Sequence, residues 1–224
     1  MSKGKKPKRG PSKKTLILND QLRRKRETRE LAKRFLIVCE DDKSAPNYFR
    51  SLKRYYKLSA SSIEVVGSNG NSQPQKVVER AIQRMELASD SASGTEAFSE
   101  IWCVIDGDYQ EKIAPARHTA NSHGIKLAVS TMCFEYWVIL HFEENDTSSN
   151  DCDTIVRSLK DKDHLPNYQK GTCDFDTVVP QVELASSRAK KLRRTGELPE
   201  NQNPCSEIYL LIHSILRETR QATS

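Results

Sequence analysis

Three acids stand where two apolar runs end. Asp106 and Asp108, with Gly107 between them, follow Ile101-Trp102-Cys103-Val104-Ile105, and Glu40 follows Phe35-Leu36-Ile37-Val38-Cys39. Hard carboxylate oxygens at positions i and i+2 of a strand exit suit Mg²⁺ or Mn²⁺. A glycine between them lets the chain turn tightly. The plainer alternative is a solvated Asp-Gly-Asp turn. If the two runs are neighbouring strands, Glu40, Asp106 and Asp108 converge on one edge of a sheet. Acids so gathered repel one another unless a proton or cation intervenes. A metal held there can activate water and stabilise charge on a phosphodiester. Glu40 serves either as a ligand or as a general base, and Asp41 and Asp42 are alternates in the same turn.

The elements that must position these acids alternate in type. Continuous apolar runs at 35–39, 63–66, 101–105 and 125–129 read as strands buried on both faces. Between them lie amphipathic segments that read as helices, beginning near Ser44, Pro74 and Glu111. Ser44 reads as a helix cap with Pro46 in the first turn, and Tyr48, Phe49, Leu52, Tyr55 and Tyr56 as that helix's inner face. Strand–helix alternation predicts an α/β fold with a mostly parallel sheet of about four strands, in which ligands bind beyond the strands' carboxyl ends. Gly67 to Ser72 lies between a strand and a helix, where backbone N–H groups meet anions, but it lacks the Lys of a P-loop. Cys133 to Phe142 reads as a strongly apolar helix. Glu135 in its first turn either offsets the helix dipole or adds a fourth carboxylate to the metal site. Residues 146–224 read as a helical C-terminal extension packed on a domain at 35–145, with helices near 151–162, 175–194 and 204–219.

Charge divides the chain. The net charge is +6, yet residues 1–34 carry 14 Lys/Arg against 3 Asp/Glu, leaving 22 against 27 in the remainder. Residues 1–34 read as a basic, largely disordered arm. Arg23, Arg24, Lys25 and Arg26 in that arm, with Lys43 beside the acidic turn, are the candidate phosphate contacts; a purely solubilising tail is the alternative. No stretch approaches the roughly 20 apolar residues of a membrane-spanning helix, and no signal peptide is evident. Six cysteines without a C-x-x-C pair point to a reducing, cytoplasmic setting rather than a disulfide framework. Cys152, His164 and Cys173 match no common zinc spacing.

Longer motifs carry a family resemblance. Phe-Leu-Ile-Val-Cys-Glu at 35–40, Pro-Asn-Tyr-Phe at 46–49 and Ile-Trp-Cys-Val-Ile-Asp-Gly-Asp at 101–108 resemble the RloB-like family. So do Cys-Phe-Glu-Tyr-Trp at 133–137, His-Leu-Pro-Asn-Tyr at 164–168 and Asn-Pro-Cys-Ser at 203–206. The resemblance implies a TOPRIM-like fold with Glu40, Asp106 and Asp108 as the catalytic and metal-binding acids. It also implies a Mg²⁺- or Mn²⁺-dependent nuclease effector of prokaryotic anti-phage defence, cutting DNA or RNA (tRNA included) and paired with an ATPase. The chain departs from the pattern in two places. Glu40-Asp41-Asp42-Lys43-Ser44 stands where the family has Glu-Gly-Glu-Lys-Thr, and Tyr109 stands where an acid commonly follows the second Asp. A non-catalytic subunit that binds nucleic acid or a partner, with a vestigial acidic site, is the competing class.

Overall fold

The computed structural model describes residues 33–59, 61–90, 97–108, 110–148, 151–162 and 164–221. Five strands form one sheet: β1 (Phe35–Cys39), β2 (Ile63–Val66), β3 (Glu100–Asp106), β4 (Lys126–Thr131) and β5 (Cys205–Ser206). Their order is β2-β1-β3-β4-β5. The first four are mutually parallel, and β5 runs antiparallel to β4. The two-residue β5 is a strand beyond the expected four. It comes from the segment expected to be a helical extension, and the described residues from Lys33 onward form one compact unit. The architecture is α/β, mostly parallel and TOPRIM-like.

Seven α-helices flank the sheet among the described residues: α1 (Ser44–Tyr55), α2 (Pro74–Ser89), α3 (Gln110–Ser122), α4 (Phe134–Ile139), α5 (Cys152–Asp161), α6 (Val182–Leu192) and α7 (Ile208–Gln221). The strands read as unbroken apolar runs because both faces are covered. Phe35, Ile37 and Cys39 of β1, with Trp102 and Val104 of β3, join the core that holds Tyr48, Phe134, Val182 and Ile208. Leu36 and Val38, with Ile101, Cys103 and Ile105, join a second core with Val77, Val78, Ile113 and Ala116 of α2 and α3. Each strand's alternate residues thus serve opposite layers.

Several local expectations change. Tyr55 is exposed and packs edge-on against Tyr56 rather than inward. The helix expected over 133–142 is shorter, at Phe134–Ile139, and all six of its residues are buried. Pro115 lies inside α3 without ending it. Between 175 and 181 the chain forms two short 3₁₀ turns before α6 begins. No helix among the described residues is long and apolar enough to cross a membrane.

Candidate functional site

Because β1 is joined to β2 on one side and to β3 on the other, the strand order reverses between β1 and β3. That is the crevice in which open parallel sheets bind ligands. Glu40 follows β1 and Asp106 ends β3, so both flank it. Pairing of Cys39 with Val104 sets the register, and the Glu40 N–H extends the ladder to the Val104 carbonyl at 2.9 Å. The Asp106 N–H donates to Glu40 Oε2 at 2.8 Å, and the Phe134 N–H donates to Asp106 Oδ1 at 3.0 Å. Each carboxylate is thus aimed by one backbone donor, which leaves Oε1 of Glu40 and Oδ2 of Asp106 for another partner.

Electrostatics there are unfavourable to a bare pair of anions. Burial pushes Glu40 up to about 8; the Asp106 N–H and, more weakly, Lys112 oppose this, while Asp108 and Asp41 add to it. Burial raises Asp106 as well, and Glu40, Glu135, Asp41 and Asp108 raise it further. The opposite end of β3 is a contrast. Glu100 is partly buried, and Lys126 at 2.9 Å, Ser214 at 2.8 Å, Trp102 at 3.2 Å and Lys33 at 3.3 Å donate to it. Burial pushes its carboxyl up, and those donors outweigh it, bringing it to about 2. One end of the strand satisfies its acid with four donors from within the chain; at the other, burial and neighbouring acids raise Glu40 and Asp106.

Asp108 is exposed in the turn beyond β3. Gly107 is needed there for close approach: a Cβ on it would lie 2.9 Å from Thr131 Cα and 3.1 Å from Thr131 Oγ1. Its N–H donates to the Ser130 carbonyl at 3.0 Å, which presses the turn onto the end of β4. Glu135 is buried at 2% exposure in the first turn of α4. Tyr168 donates to its Oε1 at 2.7 Å and Ser44 at 3.1 Å, and the Lys170 ammonium lies 3.7 Å from Oε2. It stands close enough to raise both Asp106 and Asp41.

The alternates in the acidic turn are committed elsewhere. Asp41 accepts from the N–H groups of Lys43, Ser44 and Ala45, so it caps α1, and Ser44 is released to bond Glu135. Asp42 accepts from Asn69 N–H at 2.7 Å and Gly70 N–H at 3.0 Å. The loop after β2 does present backbone donors to an anion, and that anion is the chain's own Asp42. A Cβ on Gly67 would lie 2.2 Å from Asp42 Oδ1. Lys43 is exposed, its stem against Gly171. Arg23, Arg24, Lys25 and Arg26 lie outside the described residues.

Tyr168 and Ser44 escaped the reading by residue chemistry; the only signal for Tyr168 was its place in the motif at 164–168. The cysteines require a correction. Cys133 and Cys152 are joined as a disulfide, with Cα atoms 5.8 Å apart, because the fold sets the start of α4 beside the start of α5. Nothing in a spacing of 19 residues announces that proximity. His164 stacks on Phe142 and faces Glu143 at 3.3 Å, so it joins neither sulfur.

The site's donors are hard oxygens at the switch point, which fits Mg²⁺ or Mn²⁺ better than a softer ion. Among the described residues, the acid and sulfur ligand atoms that close to within 4.8 Å of one another are those of Cys133, Glu135 and Cys152. Glu40, Asp106 and Asp108 are spread more widely. Searches of curated proteins and of solved structures return no match. A family model described as RloB-like protein matches residues 35–215, from the first strand through most of the last helix, and the chain therefore belongs to the RloB-like family.

Proposed function

We propose that this protein is a Mg²⁺- or Mn²⁺-dependent nuclease that hydrolyses phosphodiester bonds in DNA or RNA. The observation that carries the reading is the pair Glu40 and Asp106. Burial raises both at the sheet's switch point, neighbouring acids raise them further, and both are aimed by backbone N–H groups with one oxygen left over. Asp106 and Asp108 would hold the cation with Glu40, and Glu135 lies behind Asp106 in the same acidic field. A bound divalent ion polarises a phosphoryl oxygen and lowers the pKa of its water. The chain's own contribution is to fix Asp106 between two strands and one helix start, and to place Glu40 beside it as ligand or proton acceptor. Lys43 and Lys112 supply positive charge at the rim for the phosphate backbone.

Family membership supports a role as an effector of prokaryotic anti-phage defence acting with an ATPase partner, in the cytoplasm. The test pairs binding with cleavage. Mg²⁺ and Mn²⁺ should raise the melting temperature of the native chain and not that of Asp106→Asn. Labelled DNA and RNA, including total tRNA, should be cut only by the native chain with metal. A melting temperature equally indifferent to metal in both proteins would favour a non-catalytic binding subunit instead.

A further inference from the structure

Two sulfurs lie against the acidic site without belonging to it. Cys133 occupies the N-cap position of α4 and is buried, while Cys152 opens α5 and is partly exposed. Their disulfide ties two helix starts together. The residue after Cys133 is Phe134, whose N–H holds Asp106 Oδ1. Cys152 Sγ sits 3.3 Å from Glu135 Oε2, and the Lys170 ammonium lies 3.2 Å from the same sulfur. The bond therefore spans the groups that orient Asp106 and surround Glu135. Lys170 sits where it stabilises the negative sulfur that attacks or leaves during exchange. The free cysteines offer no such arrangement: Cys39, Cys103 and Cys205 are buried, and Cys173 is half-buried and unlinked.

We propose that Cys133 and Cys152 are a reversible oxidation site, closed by hydroperoxides and opened by thiols, whose disulfide raises the divalent-metal affinity of the neighbouring carboxylates; this last part rests on the metal-site reading above. Cys152, the accessible partner, attacks the peroxide. An S–O bond forms, the O–O bond breaks, and water or an alcohol departs, leaving a sulfenic acid. Cys133 then attacks that sulfur; the S–S bond forms, the S–O bond breaks, and the Cys133 proton leaves with the hydroxide as water. Two thiols lose two electrons in all, and the peroxide gains them. The closed bond fixes Cys133, and through it the Phe134 N–H that aims Asp106. Reduction removes that tether and leaves the start of α4 to packing and to the hydrogen bonds of Phe134 N–H with Asp106 and of Glu135 with Tyr168 and Ser44.

The experiment uses the full chain. Reduced protein is treated with hydrogen peroxide, alkylated with N-ethylmaleimide and digested, and Mn²⁺ binding is measured calorimetrically on oxidised and reduced samples. The expected result is a linked 133–152 peptide and at least threefold tighter Mn²⁺ binding in the oxidised form, with no redox dependence in Cys152→Ser. Cys133→Ser should behave alike, since serine is a competent N-cap. Lys170→Met should slow closure several-fold while leaving alkylation of Cys173 unchanged. Absence of the linked peptide overturns the proposal, as does stoichiometric Zn²⁺ retention by the reduced pair through Cys133, Glu135 and Cys152 with no closure by peroxide. Closure with identical Mn²⁺ affinity in both states overturns the coupling. A redox-dependent Mn²⁺ affinity without cleavage of any nucleic acid leaves the oxidation site standing and sinks the nuclease reading instead.

Discussion

A carboxylate buried beside another carboxylate is a liability that the folded chain tolerates for a reason, and its cost is measurable through pH. In metal-free protein Glu40 keeps its proton up to about 8, whereas the unfolded chain releases it near the ordinary value of 4.5. Between those values the native state binds the extra proton, so stability falls as pH rises through the window. Asp106 is shifted in the same direction and adds to the slope. At 1.36 kcal/mol per unit the effect is on the order of a few kcal/mol. Thermal melts in EDTA should therefore show a declining melting temperature from about pH 5 to about pH 8, and Mg²⁺ should restore more at the upper end than at the lower. Glu40→Gln, which cannot ionise, should flatten the decline, melt higher than the native chain at the upper end in EDTA, and gain little from Mg²⁺. A native chain with no slope across that window would show that the two acids are solvated rather than buried. Glu100 works in the opposite sense: its carboxyl is held low by its donors, so its contribution is present above 4.5 and is lost as pH falls towards 2.

Elements hold these side chains in place, one by a contact too close for a larger residue and one by a buried ring that a smaller residue would not replace. A methyl group on Gly107 would meet the backbone of Thr131 at 2.9 Å, so Gly107→Ala must push β3's exit away from β4. Overpacking of this kind costs about 1–3 kcal/mol, and because Asp106 and Asp108 flank the glycine, Mn²⁺ affinity should fall with it. Calorimetric titration of the folded variant checks this; unchanged affinity would mean the turn relaxes without moving the acids. In α4, Trp137 is fully buried and packs edge-on against His141 at 5.1 Å and Tyr48 at 6.2 Å. The same three rings join α4 to α1, with Tyr48 Oη 2.9 Å from His141 Nε2. Trp137→Ala should destabilise the fold by about 3–5 kcal/mol in denaturant titration; a change under about 1 kcal/mol would mean that neighbours collapse into the gap. What could be read from the sequence at this scale follows from the same packing. Strands covered on both faces announce themselves as apolar runs, and acids at their ends are visible because polarity changes abruptly there. Asp41, Asp42 and Glu40 are adjacent acids in one turn, and composition cannot say that one caps α1, one clamps the loop at 69–70 and one faces Asp106. The two-residue β5 is too short for any periodicity, and the cysteine pair depends on a tertiary meeting of two helix starts.

At the scale of the whole molecule, charge is the dominant asymmetry. The body beyond residue 34 has 22 basic residues against 27 acidic ones, and several of those acids gather where β1 and β3 end. A nucleic acid approaching such a body is repelled, and a divalent ion at the site offsets this only locally. Residues 1–30 carry 12 Lys/Arg against 3 Asp/Glu on the same chain. Screening over about 8–10 Å at physiological salt confines their help to phosphates near the surface, which calls for a contact role rather than long-range steering. Such contacts release counterions, so affinity should fall with salt at a slope of roughly 0.9 per phosphate neutralised on duplex DNA, and less on single strands. Deleting residues 1–30 should weaken binding to DNA and RNA alike and reduce that slope by several phosphates' worth. The loss should be alike across sequences, because phosphate contacts position a chain without choosing sequence, and the melting temperature and Mn²⁺ affinity of the body should stay unchanged. Filter-binding or anisotropy titrations across a salt series, with both proteins and both nucleic acids, decide the matter. Parallel slopes for the full and shortened chains would remove the arm from nucleic-acid binding and assign its charge to an acidic protein partner or to solubility.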